Sequence, residues 1–289
     1  MVCLITMPKD ERKVGPIYKV FSQDLYATDL HGDELGVRQA EVWRSKSRQF
    51  SRDAEIIGKI SEAGRKDHKE KLPSLEKTGF IILRNSLWAE PKNHLDRRLV
   101  VKIFSDSGGW IGTLEEMVAE EYALTYSTGM PIVSFCVITK DNEYLTYVRQ
   151  VYRGKFDMEN FAFYILAPEN RFEAFRIERK RVAAGDDYSI IRLNGGEKVA
   201  DIDGKLADIG GEFIVKILDP ILAQNDWFCR ILQCFSIMLR FRNEIKSKLD
   251  EGVKKWIKGD YKPPLHRYEA SLMGNPRKLT LNLSDLENV

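Results

Sequence analysis

The sequence predicts a mainly β, α+β fold: an antiparallel β-barrel enclosing a hydrophobic helix near the C-terminus, with an additional surface helix in the first half. Two observations carry this. From Pro131 onward, short apolar runs alternate with turn sequences at regular spacing, which points to a barrel or sandwich rather than alternating strand–helix units. Then Trp227 to Phe241 is apolar on nearly every helical face. Such a helix must be enclosed on all sides, and one flat sheet face cannot do that, whereas a sheet wrapped into a barrel can.

Taken in chain order, Pro16 to Glu41 reads as strands and turns, with apolar pieces around Ile17–Phe21 and Leu25–Ala27 broken by Asp29-Leu30-His31-Gly32-Asp33. Arg44 to Pro73 is dense in charge. Within it Ile56, Ile57, Ile60 and Ala63 fall at helical spacing, so the expectation is a surface helix from about Asp53 to Gly64. Strands resume at Gly79–Arg84 and Leu99–Phe104. Between Gly112 and Gly129 a second helix is expected, opened by a Thr113/Glu116 capping box, striped by Leu114, Met117, Val118 and Tyr122, and stopped by Gly129-Met130-Pro131.

The hairpins follow. Ile132–Thr139 and Tyr144–Tyr152 flank one turn, Phe161–Leu166 and Phe172–Glu178 the next, and Tyr188–Leu193 and Lys198–Ile202 flank Asn194-Gly195-Gly196. Lys205 to Ile209 lies between two Gly turns, and Phe213–Leu218 ends the series. Arg171 to Val182 also reads as a helix, and both readings stand at this point. The apolar helix is expected from about Pro220 to Lys248, with Asp226 as a cap. The organisation expected is one domain over 1–289, with a charged insertion at about 44–73 and a tail at about 249–289 holding a strand-like 278–283.

The chain has 289 residues, 45 basic and 43 acidic side chains, and a net charge of +2. Its 43% hydrophobic content is too high for a disordered chain, and near-neutrality excludes a uniformly basic nucleic-acid binder. The apolar start Met1–Met7 is too short for a signal-peptide core, and the 227–241 stretch, carrying Arg230 and Arg240, is too short to span a bilayer. Cys3, Cys136, Cys229 and Cys234 form no C-x-x-C pair, which predicts reduced, mostly buried thiols in a cytoplasmic protein. His31, His68, His94 and His266 are scattered. No metal site, cofactor, catalytic residue or nucleic-acid partner is expected.

The order Phe163-Tyr164-Ile165-Leu166-Ala167-Pro168-Glu169-Asn170-Arg171-Phe172, Tyr188-Ser189-Ile190-Ile191, Gly195-Gly196-Glu197-Lys198-Val199-Ala200-Asp201-Ile202-Asp203-Gly204, Gly211-Glu212-Phe213-Ile214-Val215 and then the apolar helix resembles the tubby-like superfamily, which includes phospholipid scramblases and LURP-one-related proteins. The spacing Leu232-Gln233-x-Phe235-x-Ile237-x-Leu239 looks like the tubby core helix. The resemblance covers roughly 161–241. It implies an antiparallel barrel closed around a hydrophobic helix, and a basic stretch that contacts phosphoinositide head groups. By that resemblance Lys180 and Arg181 are the lipid contacts, within the cluster Arg176, Arg179, Lys180 and Arg181. Residues 249–289 follow the helix, whereas in tubby proteins it ends the domain, and the acidic calcium segment proposed for scramblases has no match.

The function expected is a non-enzymatic binding module for anionic phospholipid or phosphoinositide head groups, or for a protein partner, sited in the cytoplasm or peripherally at a membrane. Adjacent cations suit a multiply charged phosphate. The plainer reading of the same cluster is a solvated turn neutralised by Glu173 and Glu178. The run Arg240, Arg242, Lys246, Lys248, Lys254, Lys255 and Lys258 reads as a solvated helix end complementing the helix dipole. One alternative is a metal-dependent hydrolase or nuclease using Glu116, Glu120 or Asp106, although an exposed acidic helix face explains Glu115, Glu116, Glu120 and Glu121 more simply. Another is a scaffold subunit using aromatic surface in the tail. Ser105–Gly112 reads as a tight turn ahead of the helix rather than a phosphate loop, and Asp201-x-Asp203 lacks the rest of a calcium loop.

Overall fold

A computed structural model describes residues 16–25, 54–63, 74–139, 145–151, 159–167, 171–180, 186–204, 211–266 and 269–270. Twelve strands form a closed barrel in which each strand pairs antiparallel with its sequence neighbours and β1 closes on β12. They are β1 (Lys19–Leu25), β2 (Ala54–Ala63), β3 (Glu76–Arg84), β4 (Val100–Ser105), β5 (Trp110–Glu116), β6 (Ser134–Thr139), β7 (Leu145–Val151), β8 (Asn160–Ala167), β9 (Arg171–Arg179), β10 (Tyr188–Arg192), β11 (Lys198–Gly204) and β12 (Glu212–Ile217). Closure leaves no unpaired strand edge. Among the described residues the α-helices are a single turn α1 (Asn85–Trp88), α2 (Val118–Thr128) and the long α3 (Asp226–Lys258).

Alternation along the strands fills the barrel from its wall. On β8, Phe161, Phe163 and Ile165 are buried, and on β9 Phe175 and Ile177. α3 fills the rest: every residue from 231 to 239 is buried. Phe235 meets Phe161 edge-on at a centroid distance of 4.9 Å and Tyr188 at 5.3 Å, while Phe228 lies 5.1 Å from Phe175. The helix therefore sits where the pattern of 227–241 requires, inside the barrel.

The helix begins at one end of the barrel, here called basal, beside the start of β9 and the β10–β11 turn. It leaves through the opposite, apical end, where β8 and β10 begin. Asn225 rather than Asp226 caps it, its side chain accepting from the Phe228 N–H, and Gly259 ends it at φ 80 in the left-handed region that a residue with a Cβ adopts only at a cost. The helix runs ten residues beyond the expected Lys248, because Leu249 and Val253 still have the barrel mouth to pack against.

Two expectations are corrected and one open alternative is resolved. The stretch Ala54–Ala63, predicted helical, is strand β2, so the described part of the 44–73 segment belongs to the barrel wall. A register shift between Ile56 and Gly58 breaks the strict alternation of the strand. Ile57 and Ile60 thereby both join the interior core, while Ile56 packs separately with Phe80, Ile82 and Phe104, so a spacing that reads as one helix stripe is divided between two clusters. The Thr113/Glu116 capping box does not form either. Both residues lie in β5, paired to β4 and β6, with Thr113 Oγ1 accepting from Trp110 Nε1 at 2.9 Å. The helix starts only at Val118 and stops as expected at Gly129 (φ 69). Arg171–Arg179 is a strand, which resolves that alternative.

The Ser105–Gly112 stretch is the turn and start of the β4–β5 hairpin, tied by Ser105 N–H to Gly109 O at 2.8 Å and Gly109 N–H to Ser105 Oγ at 3.0 Å. The rest of the 44–73 segment, residues 205–209 and the strand-like 278–283 lie outside the described residues, as do Cys3, His31 and His68. Among the described residues, no helix is long and apolar enough to cross a membrane.

Candidate functional site

The basic cluster singled out in the sequence comes to the apical end of β9. Arg176 pairs with Glu178, Arg179 Nη2 with Asp186 Oδ1 at 3.4 Å, and Lys180 Nζ with Asp201 Oδ1 at 3.1 Å. Arg181 lies outside the described residues. Each described cation thus already has a carboxylate beside it. Asp201 also takes Lys198 Nζ at 2.7 Å and Ser189 Oγ at 3.0 Å. Burial alone would raise its carboxyl, but the hydrogen bond from Lys198 and the charge of Lys180 outweigh that and hold it below the usual carboxylate range.

The second basic run is not a solvated helix end throughout. Arg242 and Lys248 are buried in the apical mouth, because carboxylates lining that mouth neutralise them. Arg242 reaches Glu159 Oε2 at 3.1 Å, Asp186 Oδ1 at 3.0 Å and the Tyr188 hydroxyl at 2.6 Å; Lys246 also pairs with Glu159. Burial, reinforced by the nearby Glu159 charge, pushes the Tyr188 phenol well up, so it stays a neutral hydrogen-bonding group.

Lys248 pairs with Glu116 and donates to the Arg97 carbonyl at 2.9 Å. Glu116 also accepts from the Leu99 N–H at 2.7 Å. Burial works to raise the Glu116 carboxyl, yet the Lys248 ammonium and these hydrogen bonds hold it low. Its neighbour Glu121 accepts from the Ser134 N–H at 2.8 Å and is pushed well up, first by burial and then by the Glu116 charge. The two carboxyls are thereby pushed apart, Glu116 toward the charged form beside Lys248 and Glu121 toward the neutral one. The expected exposed acidic face is corrected: Glu116 and Glu121 are fully enclosed, Glu115 pairs with Arg98 at 2.8 Å, and Glu120 with Arg149.

The carboxylates proposed for hydrolysis do not converge. Asp106 sits in the β4–β5 turn, paired with Lys77 at 2.9 Å, at the other end of β5 from Glu116. Among the described residues, no group of three or more His, Cys, Asp or Glu side chains is placed to hold a metal ion. Cys136, Cys229 and Cys234 are unpaired and buried, and burial pushes the Cys229 thiol up to about 11 and that of Cys234 up to about 12. Thiols held so far from ionisation make poor nucleophiles at neutral pH.

The chain after α3 returns to the apical end. Glu269 Oε1 accepts from the N–H groups of Ala119 and Glu120 at 2.8 and 3.2 Å, the free donors at the start of α2. Close by, burial and then the Arg98 charge lower the His266 imidazole to about 4. A histidine neutral when folded, and titrating near 6.5 when unfolded, contributes stability that is complete above about 6.5 and is lost as pH falls toward 4. Urea midpoints should accordingly drop between pH 7 and pH 5, and His266→Gln should flatten that drop. An equal fall in both proteins would remove His266 from the account.

Sequence reasoning did not find the basal cleft, a space of about 890 Å³ lined by the start of β9, the β10–β11 turn and the turn leading into α3. Its floor is ionic. Arg192 contacts Asp219 Oδ2 at 2.7 Å, Glu173 Oε2 at 3.2 Å, and Glu197. Asp219 also caps the turn before α3, accepting from Ile221 and Leu222 N–H at 2.8 and 2.9 Å. Burial would raise its carboxyl; the Leu222 N–H and Arg192 outweigh that and hold it low. Around the mouth stand three large apolar side chains, Phe172, Leu193 and Ile221, exposed by 68%, 50% and 76%. The rim continues onto β8, where Tyr164 meets Phe172 edge-on at 6.1 Å. The available signal was an apolar residue directly beside a turn at three places, Phe172, Leu193 and Ile221, but nothing in their spacing says that the barrel gathers them.

Fold and site together define a closed antiparallel barrel threaded by a helix, with an apolar-rimmed, acid-floored cleft where the helix begins. No family model, no curated protein and no solved structure matches the chain.

Proposed function

We propose that the chain is a non-catalytic binding module of the tubby-like kind, and that it engages a protein partner at the basal cleft rather than an inositol phosphate at Arg176, Arg179 and Lys180. The family reading is supported by twelve sequential antiparallel strands closed around a buried helix. The choice of partner rests on one contrast. The described cations of the basic cluster each lie in an ion pair, two of them on carboxylates shared with Arg242 and Lys198, whereas three large apolar side chains around the basal cleft stand exposed together. Contiguous exposed apolar surface of this kind marks interaction sites. Buried, unpaired thiols fit a reducing, cytoplasmic setting.

A liposome pull-down tests the choice. Retention should be the same on neutral vesicles and on vesicles carrying phosphoinositide, and Lys180→Ala with Arg181→Ala should leave it unchanged. Phosphoinositide-dependent retention that the double variant abolishes would overturn the choice and restore the lipid site.

A further inference from the structure

We infer that the basal cleft takes a polypeptide segment presenting one lysine or arginine between large apolar side chains; this deepens the binding-module reading and rests on it. The charges carry the argument. Of the four described ionisable side chains lining the cleft, Glu173, Glu197 and Asp219 are acidic and only Arg192 is basic. Arg192 touches all three carboxylates yet balances one, so among these described lining residues two negative charges remain. The side chains of Glu173 and Glu197 are 38% and 54% exposed against 15% for Asp219. The two outer carboxylates are therefore the ones a ligand can reach, while Asp219 stays committed to the turn before α3. A carboxylate offers about four acceptor sites, and a contact to Arg192 leaves room on each for a second donor.

The rim selects the rest of the ligand. Phe172, Leu193 and Ile221 surround the acidic floor and offer apolar contact on either side of a bound cation. A basic side chain suits this arrangement, since its aliphatic stem lies against apolar surface while its charged end reaches the acids. An anionic membrane presenting its lipid head groups would meet an acidic floor and be repelled. A second copy of this chain, docking by the same patch about a twofold axis, would bring two acidic floors together.

The probe is a set of short fluorescent synthetic peptides, with Lys, Arg, Gln or Glu at the centre and Leu, Phe or Ser on either side, titrated against the full chain by anisotropy. Lys- or Arg-centred peptides with apolar flanks should bind at least about tenfold more tightly than their Gln-centred counterparts, a gap of about 1.4 kcal/mol, and the gap should shrink as salt rises. Glu197→Lys combined with Glu173→Gln should remove the preference for a basic centre, and Phe172→Ser with Ile221→Ser should weaken every peptide. Circular dichroism establishes that both variants fold; should the acidic pair fail to, Glu197→Gln alone carries the charge test.

If apolar peptides bind irrespective of the central charge, and the rim variant abolishes that binding, the charge inference falls and the binding module stands. If no peptide binds in a rim-dependent way, both fall. Rim-dependent self-association in sedimentation, or rim-dependent retention on neutral vesicles, would overturn the peptide ligand in favour of a second copy or a membrane.

Discussion

Replacing Lys248 with methionine should lower the unfolding free energy by about 3–5 kcal/mol, the range seen when one partner of a buried ion pair is removed. The side chain lies inside the apical mouth with its ammonium on Glu116, whose carboxyl is 1% exposed at the side chain. Methionine fills most of the same volume, so the loss is chiefly electrostatic. Glu116 must either keep an uncompensated charge beside Glu121 or take up a proton. The double change Lys248→Met with Glu116→Gln should recover a large part of the loss, since no charge is then left without a partner. Denaturant unfolding at neutral pH measures both proteins. A double variant as unstable as the sum of the single ones would show that the pair is not coupled as described.

Phe235→Ala should cost a similar amount, about 3–5 kcal/mol, for a different reason. The ring is fully buried in the enclosed part of α3, with Phe161 and Tyr188 edge-on to it and Phe135 at 6.5 Å. Helix and barrel wall come from distant parts of the chain, and a closed wall cannot move inward as readily as an open sheet, so the cavity persists. Arg240→Ala, on the one exposed position between 231 and 242, should change stability by less than about 0.5 kcal/mol. Comparable losses in the two variants would mean that the helix is not enclosed.

The two effects also separate what was legible in the sequence. Phe235 could be placed in a core from the order of residues alone, because an apolar side chain on every face of a helix leaves nowhere else for it to lie. Lys248 could not. In one dimension it belongs to a basic run at a helix end, and the solvated reading costs nothing. Only closure of the barrel carries Glu116 and Glu159, at the ends of distant strands, to meet Lys248 and Arg242. Glu116 was misplaced for the same kind of reason. A Thr-x-x-Glu spacing is shared by a helix cap and a strand, and pairing with β4 and β6 decides for the strand.

The candidate sites divide in the same way. Arg176, Arg179 and Lys180 were visible as a cluster, but Asp186 and Asp201, which pair with two of them, come from the next connection and from β11. Phe172, Leu193 and Ile221 are far apart in the chain and ordinary in composition.

By itself, then, the sequence determined the closed architecture, through strand-length apolar runs and one helix that water cannot be allowed to touch. Burial is a demand each residue carries with it. The tertiary structure decided which charges are matched, where β2 and α2 begin, and which apolar side chains gather into a surface. Those depend on distances between residues remote in the chain, which strand register fixes and residue order does not contain.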